Sequence, residues 1–161
     1  RNAINIYSVT IDDSKRKNVK WYINTNITYS FDGTNATGSY GDATARAHAD
    51  TTWTEEDEED GLGTEGEVKV EGLKTKLIRD VKLEAANELA KTDWYITRKS
   101  EKNTAIPSAI STHRDAVRTK QDSMCTAITN ASDTPALETL YTYTDQEDGT
   151  RTRPLGELPT L

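Results

Sequence analysis

The run Glu55-Glu56-Asp57-Glu58-Glu59-Asp60 is the densest group of chemically competent side chains in the sequence, and carboxylates so crowded point first to a hard cation. With Gly61 at the glycine position of a calcium loop, Glu56, Glu58 and Asp60 take the preceding ligand positions and Glu67 the closing carboxylate. The departures lie where geometry is strictest. The first two ligand positions carry Glu in place of the shorter Asp or Asn, and Gly63 replaces the usual apolar residue. A solvated acidic loop is the simpler expectation, with a calcium-binding interaction module as the alternative.

Catalytic constellations are scarcer. His48 and His113 are the two histidines, and neither stands in a His-Glu-x-x-His or nucleophile-elbow context. No glycine-rich phosphate loop occurs. The single cysteine, Cys125, can form no internal disulfide and lacks a second thiol for a metal; beside Met124 it reads as a packing group. The sequons Asn26-Ile27-Thr28, Asn35-Ala36-Thr37 and Asn130-Ala131-Ser132 read as chance occurrences, because residues 1 to 11 lack a basic-then-apolar leader pattern. The expectation is a protein that is not an enzyme and carries no cofactor.

The elements that must position any site follow from periodicity. Val19, Trp21, Ile23, Thr25, Ile27, Tyr29 and Phe31 alternate with polar partners, which predicts one long half-buried strand. Residues 4 to 11 are β-prone as well, and Asp12-Asp13-Ser14-Lys15 reads as the turn of an antiparallel hairpin between the two. A third short strand falls near residues 37 to 40, after the loop chemistry of Asp32-Gly33. Residues 42 to 50, with alternating alanines, fit a short helix capped by Asp42 and also tolerate a strand.

Beyond the acidic run, residues 67 to 71 alternate as a short strand. Leu73, Leu77, Ile78, Val81, Ala85 and Leu89 then trace one stripe on a helix reaching Lys91. Ile110, Val117, Met124 and Ile128 mark a second helix from Ile106-Pro107 to Asn130, its narrow stripe suited to packing along one partner helix. A third, short helix opens at Thr134-Pro135. The expected architecture is α+β: a β-rich region over 1–53, an acidic linker loop over 54–66, a helical module over 67–143 and an extended tail over 144–161.

Composition narrows the partners. Leu, Ile, Val and Phe number 27 of 161 residues, a thin core for a chain this long, so its apolar faces are expected to be completed by copies of itself or by another protein. The net charge of −7 is unevenly spread, with +2 over residues 1 to 41, −9 over 42 to 71, +5 over 72 to 120 and −5 over 121 to 161. The basic block contains six acids that break any phosphate-binding stripe, so nucleic acid is disfavoured. No run of 18 apolar residues exists to cross a membrane.

The most specific stretch is Leu89-Ala90-Lys91-Thr92-Asp93-Trp94-Tyr95, where Thr92-Asp93 re-caps the chain after a helix and Trp94 can fold back over the helix end. With Arg79, the connector Ile106-Pro107, and Arg114 and Val117-Arg118 downstream, residues 76 to 120 resemble the C-terminal module of tail-fibre assembly chaperones of tailed bacteriophages. His113 stands where that family prefers Tyr, Ile110 where an aromatic is common and Val117 where Leu is usual. The resemblance implies a phage protein that binds tail or tail-fibre polypeptides, in the virion or in the host cytoplasm during assembly. Trp94 and Asp93 would anchor the partner, Arg79, Arg98, Arg114 and Arg118 would dock it, and Trp21 would contribute from the front strand. A purely structural virion subunit, joined through its β-hairpin, is the alternative.

Overall fold

The computed structural model describes residues 7–161 and is α+β, with small sheets in the first half and helices in the second. The chain divides into two compact units, Arg1–Arg46 and Ala47–Leu161. The division falls earlier than residue 53 because residues 47 to 52 bond within the second unit.

In the first unit, β1 (Val9–Asp12), β2 (Tyr22–Ile23), β3 (Thr28–Phe31), β4 (Ala36–Ser39) and β5 (Thr44–Ala45) form two sheets. One has the order β1-β4-β3, with β1 parallel to β4 and β3 antiparallel to it; the other pairs β2 with β5 antiparallel. The hairpin is thus β3–β4, closed at Asp32-Gly33, and not a pairing of residues 4 to 11 with the following strand; residues 4 to 6 lie outside the described residues. Asp32 builds that turn by accepting the amides of Thr34 and Asn35 at 2.8 and 2.7 Å, and Gly33 supplies its φ of +99°.

The long strand over 19 to 31 is broken, and Asn18 and Asn24 break it. The Asn18 carbonyl accepts from the amides of both Trp21 and Tyr22 in a turn. The Asn24 side chain bonds both main-chain groups of Lys17, its Oδ1 accepting from the amide and its Nδ2 donating to the carbonyl, each at 2.8 Å. A side chain that satisfies the backbone in this way competes with ladder pairing. Residues 42 to 50 hold β5 and no helix, since Ala45 and Thr44 pair with Tyr22 and Ile23.

In the second unit, β6 (Thr51–Thr52) and β7 (Val68–Val70) pair antiparallel around the acidic segment. That segment is no loose loop: Glu55–Glu59 form α1, started by a capping box in which the Thr54 hydroxyl accepts from the Asp57 amide and the Asp57 carboxylate from the Thr54 amide. The two long helices follow as α2 (Leu73–Ala90) and, after the shorter α3 (Asp93–Lys102), α4 (Ser108–Asn130). Leu73, Leu77, Val81 and Ala85 of α2 and Ile110, Val117, Met124 and Ile128 of α4 are buried, as their stripes require. The helices run antiparallel. Lys74 at the start of α2 donates to the Thr129 carbonyl at the end of α4, and Arg114 near the start of α4 reaches the Leu89 carbonyl at the end of α2.

Asp50 seats α2 by accepting the Gly72 amide and the Thr75 hydroxyl, both at 2.7 Å, and these bonds hold its carboxyl below the usual range. Leu137 of α5 (Thr134–Tyr141) completes the core, fully buried. The tail is not merely extended. It forms the hairpin of β8 (Thr144–Asp145) and β9 (Arg151–Thr152), then buries Leu155, whose amide donates to the Leu140 carbonyl. Burial pushes the Tyr141 hydroxyl up to about 12.

Candidate functional site

The end of α2, the whole of α3 and the first turns of α4 meet in one constellation. The α2 helix stops at Lys91, and its last carbonyls would be orphaned without partners. The Leu89 main-chain carbonyl accepts from the Thr92 amide at 3.1 Å, the Thr92 hydroxyl at 3.0 Å and the Arg114 guanidinium at 2.8 Å. Arg114 also donates to Thr92 Oγ1 at 2.7 Å and pairs with Asp93 Oδ1 at 2.9 Å. One buried arginine therefore closes α2, fixes Thr92 and holds the first residue of α3.

This geometry corrects the docking role expected of Arg114. Its side chain is buried and its donors face inward, so it positions the turn and is not offered to a partner. Asp93 acts with it, its carboxylate lying in the first turn of α3, where the helix dipole favours negative charge.

Trp94 does not fold over the helix end. It is 51% exposed on α3, stacked against Tyr95 with ring centroids 3.8 Å apart. The Arg98 guanidinium lies 4.9 Å from the Trp94 ring and 5.8 Å from that of Tyr95, near enough for cation–π attraction to both. Ile96 is exposed beside them. The α3 helix ends at Asn103, whose φ of 53° is the left-handed turn that asparagine tolerates. Tyr95 is legible as an aromatic neighbour of Trp94, but Thr92-Asp93-Trp94 reads as a turn and not as the start of a helix, so the face of α3 is missed.

The remaining candidates lie apart from this cluster. Arg79 pairs with Glu71 at 2.8 Å, and Arg118 with Asp115 of its own helix at 3.2 Å. Both are ion pairs on exposed helix faces. Trp21 is buried in the first unit at 3% exposure, which removes it as a contact residue.

The calcium ligands fail to converge. Successive helical residues turn by about 100°, so Glu56 and Glu58 on α1 diverge, and Glu58 accepts the Glu65 amide instead. Among the described residues no group of three His, Cys, Asp or Glu side chains could hold a metal ion. The focus of this segment is Asp57, whose Lys69 partner at 2.9 Å and Thr54 hydrogen bonds pull its carboxyl down to about 2. Burial pushes the Cys125 thiol up, the opposite of nucleophilic activation. His113 sits half-buried with Nε2 3.4 Å from Glu88 Oε1, and Lys91 pairs with Glu88, holding that carboxyl below its ordinary value.

Comparison with protein-family models, with curated proteins and with solved structures finds no match.

Proposed function

We propose that the chain is a non-enzymatic bacteriophage protein that binds tail or tail-fibre polypeptides through α3, during assembly or as a resident of the particle. The observation that carries the reading is the pairing of a buried clamp with an exposed aromatic face. Arg114, Thr92 and the Leu89 carbonyl lock the base of α3, while Trp94 stands exposed with half-buried Tyr95 and Arg98 packed against its ring as a preassembled anchor. Tryptophan, tyrosine and arginine are the residues that most often dominate binding energy at protein interfaces. An anchor held on a rigid turn loses little further entropy on binding. The same residues, Thr92-Asp93-Trp94 and Arg114, carry the resemblance to tail-fibre assembly chaperones, so motif and geometry converge on one turn.

Co-expression with a tail-fibre polypeptide of the same phage, followed by affinity purification and titration of the complex, tests this. Trp94→Ala is expected to weaken binding by about 30-fold or more, the loss of a hot-spot residue of at least about 2 kcal/mol. Leu83→Ala, at an exposed position on α2, is expected to leave binding unchanged. Equal binding by wild type and Trp94→Ala, or no binding by the wild type, overturns the reading.

A further inference from the structure

The β1-β4-β3 sheet separates its side chains completely. Its register aligns Val9 with Ala36 and Phe31, and Ile11 with Gly38 and Tyr29. The other face carries Thr10, Asp12, Thr28, Ser30, Thr37 and Ser39. Tyr7 extends the first face, its ring 4.7 Å from that of Phe31. Gly38 keeps this face flat: a Cβ there would stand 2.8 Å from Ile11 and Ile27 and 3.0 Å from Tyr29. A sheet this regular ordinarily packs its apolar side against something. Here Tyr7, Tyr29 and Phe31 are 45%, 67% and 52% exposed, and Val9 and Ile11 are nearly as open.

We propose that this face is the interface between two copies of the chain, packed sheet on sheet. The unit that presents it spans Arg1–Arg46, little above the about 40 residues below which a domain usually needs a disulfide, a metal or self-association to stay folded. The unit contains no cysteine, and no metal-binding cluster exists among the described residues. The face bears no charged side chain, so two copies meet without like-charge repulsion. Nearby charges are already engaged within the unit, Lys15 with Asp42 and Arg16 with Asp13, which leaves little to select an oppositely charged stranger. Aromatic side chains bury about 200 Å² each when wholly covered; these are about half covered already, so with Val9 and Ile11 two copies would together cover at most roughly the 1,000 Å² at which specific interfaces begin. The inference is independent of the role given to α3.

Sedimentation equilibrium of the full chain, from micromolar to submillimolar concentration, reads this directly. The wild type is expected to approach twice the chain mass, and Tyr29→Thr/Phe31→Thr, which keeps β-prone residues on the strand, to remain at one chain mass. Thr10→Ser on the opposite face is expected to dimerise as wild type does. Slower amide exchange at residues 29 to 31 with rising wild-type concentration is the companion signature, which needs no variant to fold. A wild type of one chain mass throughout, or an assembly unchanged by the double substitution, overturns the proposal.

Discussion

Arg114 contributes through what its loss would strand. Removing it leaves the Thr92 hydroxyl with only its Leu89 acceptor and takes a charged donor from a part-buried carbonyl. Hydrogen bonds to charged groups contribute about 1.5–3 kcal/mol each, and the exposed Asp93 partner adds little. Arg114→Ala is therefore expected to lower stability by about 2–3 kcal/mol in urea unfolding. Arg114→Lys recovers only part of this: the three contacts converge on Nη1, and the ammonium that replaces it sits on a side chain of different length and shape. Asp57 makes a pH-dependent claim. Its carboxyl ordinarily titrates at 3.8 and is held at about 2 in the fold, so the folded state favours the ionised form. The stabilisation is complete above the unfolded value and is lost as pH falls through the folded one. Protection of the α1 amides is expected to fall between about pH 4 and pH 2, whereas Asp57→Asn lacks that step and exchanges faster at neutral pH. Amide exchange followed by NMR checks both.

At the scale of elements, helices were legible where stripes were long. The four-residue spacing from Leu73 to Ala85 and the near-heptad run from Ile110 to Ile128 identify α2 and α4, because burial along one face is a periodic signal. Short elements were lost for the opposite reason. Strands β1 to β5 hold two to four residues each, too few for periodicity to outweigh side-chain competitors such as Asn24. The capping box of α1 was present in Thr54 and Asp57, yet the charge run around it reads as solvated. The α3 face was hidden because Asp93 and Trp94 look like a helix stop when Arg114, the partner of Asp93, lies 21 positions beyond it. Gly72 marks where α2 meets its support: a Cβ would stand 2.3 Å from the Ala49 carbonyl carbon and oxygen. These are backbone atoms, so they yield only by moving the segment that leads into β6. Gly72→Ala is expected to cost about 1–3 kcal/mol, seen as a lower unfolding midpoint, and at this N-cap alanine brings no propensity gain to offset it.

For the molecule as a whole, the 27 strong apolar residues are divided unequally. Both long helices, α5 and Leu155 spend most of theirs on a closed core, with Leu83 of α2 an exception, while the first unit leaves Val9, Ile11 and Phe31, with Tyr7 and Tyr29, exposed on one sheet face. The helical unit adds Trp94 and Ile96 on α3. Thinness of core and openness of surface are thus one property: apolar side chains that a larger protein would bury are presented outward. On the two proposals made above, these faces take different partners, a second copy for the uncharged sheet and a phage polypeptide for the aromatic face of α3. Hydrogen exchange of the full chain, alone and mixed with the tail-fibre polypeptide, tests the central claim most directly. Slowed exchange concentrated in Asp93–Lys102 is the expected result; an α3 that exchanges at the same rate with the polypeptide present contradicts it.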